Sequence, residues 1–155
     1  MRTRITLLAM LVALIIAVPA APASALSLSI ETNATLAPFQ PGQTATGSGT
    51  LTVAAPLGSW TLKVQDSTGA GFMAKAAAGC AGSDAQLTNR LSVTVTGSGV
   101  TSAGSKLIDG TATQVANGPL TVATILTTAY AQIIPASQTM LTGCAYTLTA
   151  TYTLQ

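Results

Sequence analysis

Hydrophobic and polar residues alternate along much of the chain. Four segments show the pattern: residues 26–30, 60–64, 91–96 and 146–154. An apolar residue at every second position is typical of a β-strand with one buried face. The sequence therefore predicts strands whose buried faces carry Leu26, Leu28 and Ile30; Trp60, Leu62 and Val64; Leu91, Val93 and Val95; and Tyr146, Leu148, Ala150, Tyr152 and Leu154.

Two segments depart from this alternation. Residues 120–131 are longer and more uniformly apolar, which predicts a central strand covered on both faces. Residues 74–78 read Ala-Lys-Ala-Ala-Ala, and this run fits either a short helical turn or a loop that carries Cys80.

Turn-forming residues separate the predicted strands, and strands with turns this frequent favour an antiparallel sandwich. The 24 threonines from residue 26 onward also favour strands, because a branched Cβ fits the pleated surface. We predict one all-β domain over residues 26–155, an antiparallel β-sandwich that is immunoglobulin-like or a related Greek key. The predicted chain reversals are at Pro41-Gly42, Gly47-Ser48-Gly49, Pro56-Leu57-Gly58, Gly69-Ala70-Gly71, Gly97-Ser98-Gly99, Asp109-Gly110 and Asn117-Gly118-Pro119.

The N-terminus has the order of a Sec-type signal peptide. Arg2 and Arg4 are basic, residues 5–18 are apolar apart from one threonine, and an Ala-Ser-Ala cleavage signature ends at Ala25. A membrane anchor is the alternative, but the apolar stretch is shorter than the roughly 20 residues needed to span a bilayer. We predict that residues 1–25 are removed, so that the protein is secreted or associated with the cell surface.

Charge is sparse once the signal peptide is removed. Residues 26–155 contain four basic and four acidic side chains, so their formal net charge is zero. A neutral chain has no electrostatic footprint for nucleic acid or anionic lipid, and neither is an expected partner. The sequence has no C-terminal hydrophobic tail or sorting-type motif, so no transmembrane anchor is expected after cleavage and any surface attachment is expected to be non-covalent.

The two cysteines, Cys80 and Cys144, are expected to form a disulfide, because an even number of cysteines in an exported chain favours pairing. Closing a loop of that length would stabilise the fold by roughly 4 kcal/mol. Two free, buried thiols are the alternative.

Catalytic chemistry finds little support in the sequence. There is no histidine, so a Ser-His-Asp arrangement is excluded. Asp66 with Asp84 or Asp109 could pair for glycoside hydrolysis, but each lies beside turn residues, where aspartate commonly bonds to the backbone. The Gly-x-Gly runs lack a complete dinucleotide fingerprint. We expect no enzyme activity, no cofactor and no metal.

Two aromatic-Thr-Leu triplets carry the remaining functional signal. Trp60-Thr61-Leu62 is a Trp-x-Leu sequence, and Tyr152-Thr153-Leu154 has tyrosine in place of tryptophan, with Tyr146 six residues earlier. The arrangement resembles the WxL domain of Gram-positive surface proteins, which carries two Trp-x-Leu motifs, the second near its C-terminus.

The resemblance implies a secreted β-sandwich that attaches non-covalently to the cell wall, to peptidoglycan, and assembles with other surface proteins. Trp60, Tyr146 and Tyr152 would be its binding residues, since aromatic faces stack on sugars and apolar patches. The alternative for these rings is an ordinary core role. The alternative function is a fimbrial or coat-type subunit that assembles by strand exchange, with residues 26–30 as the donor segment.

Overall fold

The computed structural model describes residues 26–67, 69–76, 80–141 and 144–155; the predicted signal peptide lies outside them. These residues form β-strands and no helix. The strands are β1 (Ser27–Thr32), β2 (Thr44–Ala55), β3 (Trp60–Asp66), β4 (Phe72–Lys75), β5 (Gln86–Arg90), β6 (Ser92–Gly97), β7 (Thr101–Ser102), β8 (Lys106–Leu107), β9 (Thr113–Gly118), β10 (Thr121–Ile133), β11 (Tyr146–Thr147) and β12 (Ala150–Leu154).

Three antiparallel sheets make up the sandwich, which confirms the predicted all-β fold. The first sheet has the order β1-β2-β10-β6-β8, the second β12-β3-β9-β7, and the third β11-β4-β5. Consecutive strands repeatedly change sheet: β2 lies in the first and β3 in the second, while β9 lies in the second and β10 in the first.

The core lies between the inner faces of these sheets. Along β3, Trp60, Leu62 and Val64 are buried, whereas the residues between them are only partly covered. Val93 and Val95 of β6 are buried in the same cluster, so both alternating segments were predicted correctly. Burying each such aliphatic side chain contributes roughly 1.5–3 kcal/mol.

The predicted burial of β10 on both faces is wrong. Its inner face buries Leu126 and Thr128, but Val122 is 82% exposed and Ile125 is 68% exposed on the outside. No second layer covers the outer face in the described part of the chain. The apolar run therefore reflects the preference of β-branched residues for strands, and not burial.

The predicted burial of Leu26 and Ile30 is also wrong: they are 45% and 57% exposed, and β1 is the edge strand of its sheet. Two further expectations change in the structure. The C-terminal run is not one strand: β11 pairs with β4 in the third sheet, and β12 pairs with β3 in the second. Ala74 and Lys75 belong to β4, so this part of the alanine-rich run is a strand and not a helical turn; residues 77–79 lie outside the described residues.

A disulfide joins Cys80 to Cys144, with 5.6 Å between their Cα atoms, as predicted. It connects the loop after β4 to the residue two positions before β11. A disulfide fits an oxidising, extracytoplasmic compartment.

Candidate functional site

A cavity of about 650 Å³ lies on the side of the sandwich where two edge strands come together. β1 is the edge of the first sheet and β12 is the edge of the second. One wall is formed by the inner faces of β1, β2 and β10, the other by residues 144–150 and Tyr152, and residues 33–36 form the rim. We call this space the lateral cavity.

The lateral cavity reaches the hydrophobic core. Leu51, Met73 and Leu91 line it and are at most 5% exposed. Leu36 and Phe39, from the segment before β2, are packed against the same cluster. An apolar cavity of this size falls within the range of about 300–1,000 Å³ that is typical of small-molecule sites.

Two tyrosine hydroxyls meet across the lateral cavity. Tyr130 on β10 and Tyr152 on β12 are joined by a hydroxyl–hydroxyl hydrogen bond of 2.7 Å, which links the two sheets. The strand register places Tyr152 on the inner face of its sheet, because Tyr152 pairs with Val64, a core residue of β3. Burial raises the pKa of Tyr152 far above its ordinary value, and the charge and hydrogen bond of Tyr130 raise it further. Tyr152 is therefore a neutral hydroxyl.

Tyr146 lines the same cavity with its ring but uses its hydroxyl elsewhere. The residue is 6% exposed, and its hydroxyl donates to the carbonyl oxygen of Asp84 at 2.8 Å. Its ring centroid lies 5.9 Å from that of Phe39. The hydroxyl of Tyr146 therefore joins this wall of the lateral cavity to the loop that precedes β5.

Trp60 lies in the core and does not line the lateral cavity. Its side chain is 2% exposed and packs on Gly118, where an added Cβ would come 2.5 Å from the ring. Its indole Nε1 has no hydrogen-bond partner among the described residues. Of the three predicted binding residues, the structure brings together Tyr146 and Tyr152, and leaves Trp60 apart.

Glycines within β2 allow the rim to lie close to the strand. Gly47-Ser48-Gly49 was predicted as a turn, but all three residues are inside β2. A Cβ on Gly47 would overlap the carbonyl oxygen of Thr35, and one on Gly49 would lie 2.6 Å from that of Thr32. The predicted turn is wrong because these glycines lie inside a strand, where they let another backbone segment come close, a second common role of glycine.

We expect Gly47→Ala to destabilise the protein by roughly 1–3 kcal/mol, because the new methyl group displaces the rim from β2. Gly58→Ala is the matched control, since nothing lies within 4 Å of the Cβ position there. Urea unfolding of both variants measures the difference. Equal midpoints for the two variants would contradict this account of the rim.

Tyr130, Leu36 and Phe39 were not predicted as site residues. Tyr130 lies in the run predicted to be a fully covered strand, and the other two precede the Pro41-Gly42 turn in a segment without alternation. The one signal was the presence of two large apolar side chains, Leu36 and Phe39, in a segment whose other residues are mostly small or polar.

The aspartates have structural roles outside the lateral cavity. The Asp66 carboxylate accepts from the backbone N–H of Gly71, and that of Asp109 from Thr111, which are the short-range backbone bonds expected of turn aspartates. The Asp84 carboxylate instead accepts from the backbone N–H of Thr139, 55 residues along the chain. The described residues hold no group of three or more His, Cys, Asp or Glu side chains placed to bind a metal ion.

Comparison of the chain with known protein families, with curated proteins and with solved structures finds no match. The described residues include no helix that is long and apolar enough to cross a membrane.

Proposed function

We propose that the chain is a secreted, non-catalytic surface module that attaches non-covalently to the cell wall through the lateral cavity. The WxL resemblance motivates this function, with wall polysaccharide or another surface protein as the partner. One observation carries it: Tyr146 and Tyr152, the two aromatic residues of the distal motif, line the same cavity on the open side of the sandwich.

The composition of the lateral cavity supports binding over catalysis. Its polar side chains are hydroxyls and the amide of Asn33, and the described residues lining it include no carboxylate, amine or imidazole that could exchange a proton near neutral pH.

Co-sedimentation with purified cell-wall sacculi tests the proposal. We expect the exported protein to sediment with sacculi, and Ala150→Trp to lower its affinity at least about tenfold by filling the lateral cavity, to which Ala150 contributes. Ala112→Trp is the matched control, because Ala112 is exposed and outside the cavity. Folded Ala150→Trp that sediments as well as the wild type would refute this role of the cavity.

Protease treatment of the sacculi separates the two partner classes. Retention that survives the treatment identifies wall polysaccharide as the partner, whereas retention that disappears identifies a surface protein. Thermal unfolding of each variant, measured on the same preparation, distinguishes lost binding from lost folding.

Strand exchange between subunits is the second candidate, favoured by the two edge strands beside the lateral cavity. β1 and β12 are edges in the described part of the chain, and an extended segment from another subunit can add to such an edge. In this structure residues 27–32, which include most of the predicted donor, instead pair with β2 of the same chain. Assembly by exchange would appear as concentration-dependent oligomers in analytical ultracentrifugation, abolished by deleting residues 26–30.

A further inference from the structure

The lateral cavity has a definite chemical character. Its deep part is formed by core side chains, among them Leu51, Met73 and Leu91. Hydrocarbon suits this deep part of the cavity, because each methylene buried against these side chains contributes favourably.

Charge is absent from the lining. The described residues around the lateral cavity include no Asp, Glu, Lys or Arg. A charged ligand would lose its hydration without gaining a counter-ion, which is strongly unfavourable. The cavity therefore selects neutral molecules.

The tyrosine pair supplies one hydrogen-bond donor. In the bond between Tyr130 and Tyr152, one hydroxyl donates and the other accepts, and the accepting hydroxyl keeps its own proton. That proton makes no hydrogen bond to the other described residues, so it is available to a ligand acceptor such as a carbonyl or ether oxygen. Hydroxyl pairs also polarise one another, which strengthens the outgoing bond.

We infer that the lateral cavity binds a neutral, mainly hydrocarbon small molecule whose single hydrogen-bond acceptor meets the Tyr130–Tyr152 hydroxyl pair. The inference goes beyond the proposed function, because it assigns a small ligand to the deep, apolar part of the cavity, whereas the partner of the surface module is wall polysaccharide or a surface protein. It goes further in specifying charge, polarity and the position of the one polar contact.

Displacement of the neutral fluorescent probe N-phenyl-1-naphthylamine from the exported protein tests the ligand class. We expect saturable binding of one probe per protein and displacement by 2-decanone. Decanoate at pH 8 should be at least about tenfold weaker than 2-decanone, because its carboxylate has no counter-ion in the cavity. Equal displacement by decanoate and 2-decanone would overturn the inference.

Removing the donor pair tests the polar contact. In the double variant Tyr130→Phe/Tyr152→Phe we expect 2-decanone to bind roughly two- to tenfold more weakly, the effect of one lost hydrogen bond. Decane serves as the internal control, and its binding should be unchanged because it has no acceptor. An equal loss for both compounds would show a purely structural role for the hydroxyls and would refute the proposed contact.

Blocking the cavity tests the location. Ala150→Trp and, if that variant does not fold, Ala34→Trp on the rim should abolish probe binding, and Ala112→Trp should retain it. A folded, blocked variant that still binds the probe would place the ligand elsewhere. If no neutral compound binds the wild type but Ala150→Trp still loses wall retention, the ligand class is wrong and the proposed function stands.

Discussion

Replacing Cys80 and Cys144 together with alanine is expected to lower the free energy of unfolding by about 4 kcal/mol. The bridge joins residues separated by 64 positions, so removing it releases a long loop in the unfolded chain. For a domain of this size the melting temperature should fall by roughly 10–20 °C. Urea unfolding of the double variant beside the wild type measures the change.

The reduced wild-type protein is the control for the side-chain substitutions themselves. It retains both sulfur atoms, so it should lose nearly as much stability as the double variant. If reduction leaves the unfolding midpoint unchanged, the bridge does not stabilise the protein and the prediction is wrong.

The disulfide also bears on the lateral cavity. Cys144 lines the cavity at the start of the wall formed by residues 144–150, and β11 at residues 146–147 makes only a two-residue pairing with β4. Without the bridge, the start of this wall is held by that short pairing, by the backbone hydrogen bond from Ala76 to Ala145 and by the hydrogen bond from Tyr146 to Asp84. Loss of the bridge should therefore weaken probe binding as well as stability.

The parts of the fold that the sequence predicts are those governed by local rules. Alternation identified β3 and β6 because each has one face in the core and one face directed outward. Two cysteines allow one intramolecular pairing, which is the one observed.

Errors arose where tertiary contacts decide the outcome. The outer face of β10 is apolar but uncovered, and strand propensity alone cannot reveal whether a second layer exists. Gly47 and Gly49 have the composition of a turn, yet they accommodate a distant segment, residues 32–35. The C-terminal run divides between two sheets, a change that leaves no mark on its alternation.

The lateral cavity was only partly predictable. Tyr146 and Tyr152 were chosen for their place in a motif, and they do line one space. Tyr130 completes the hydroxyl pair from a strand 22 residues earlier in the chain, and that juxtaposition depends on how the first and second sheets face each other. Sequence periodicity predicts which face a residue occupies, but not which residue lies opposite.

Trp60→Ala is expected to destabilise the protein by roughly 3–5 kcal/mol, the range for removing a buried aromatic ring. Trp60 is 2% exposed and rests on Gly118, so the substitution leaves a large void between β3 and β9. Trp60→Phe should cost much less, because it retains a ring and the indole Nε1 has no hydrogen bond to lose among the described residues. Thermal and urea unfolding measure both changes.

The same variants separate a core role for Trp60 from a binding role. If Trp60 acts only in the core, Trp60→Phe should sediment with cell-wall sacculi as well as the wild type, whereas folded Tyr152→Ala should bind less because its ring lines the lateral cavity. Reduced wall binding by a fully folded Trp60→Phe, with Tyr152→Ala unaffected, would show that Trp60 and not Tyr152 is the binding residue. In that case the Trp-x-Leu motif itself would contact the wall, which would require Trp60 to leave the buried position that it has in this structure.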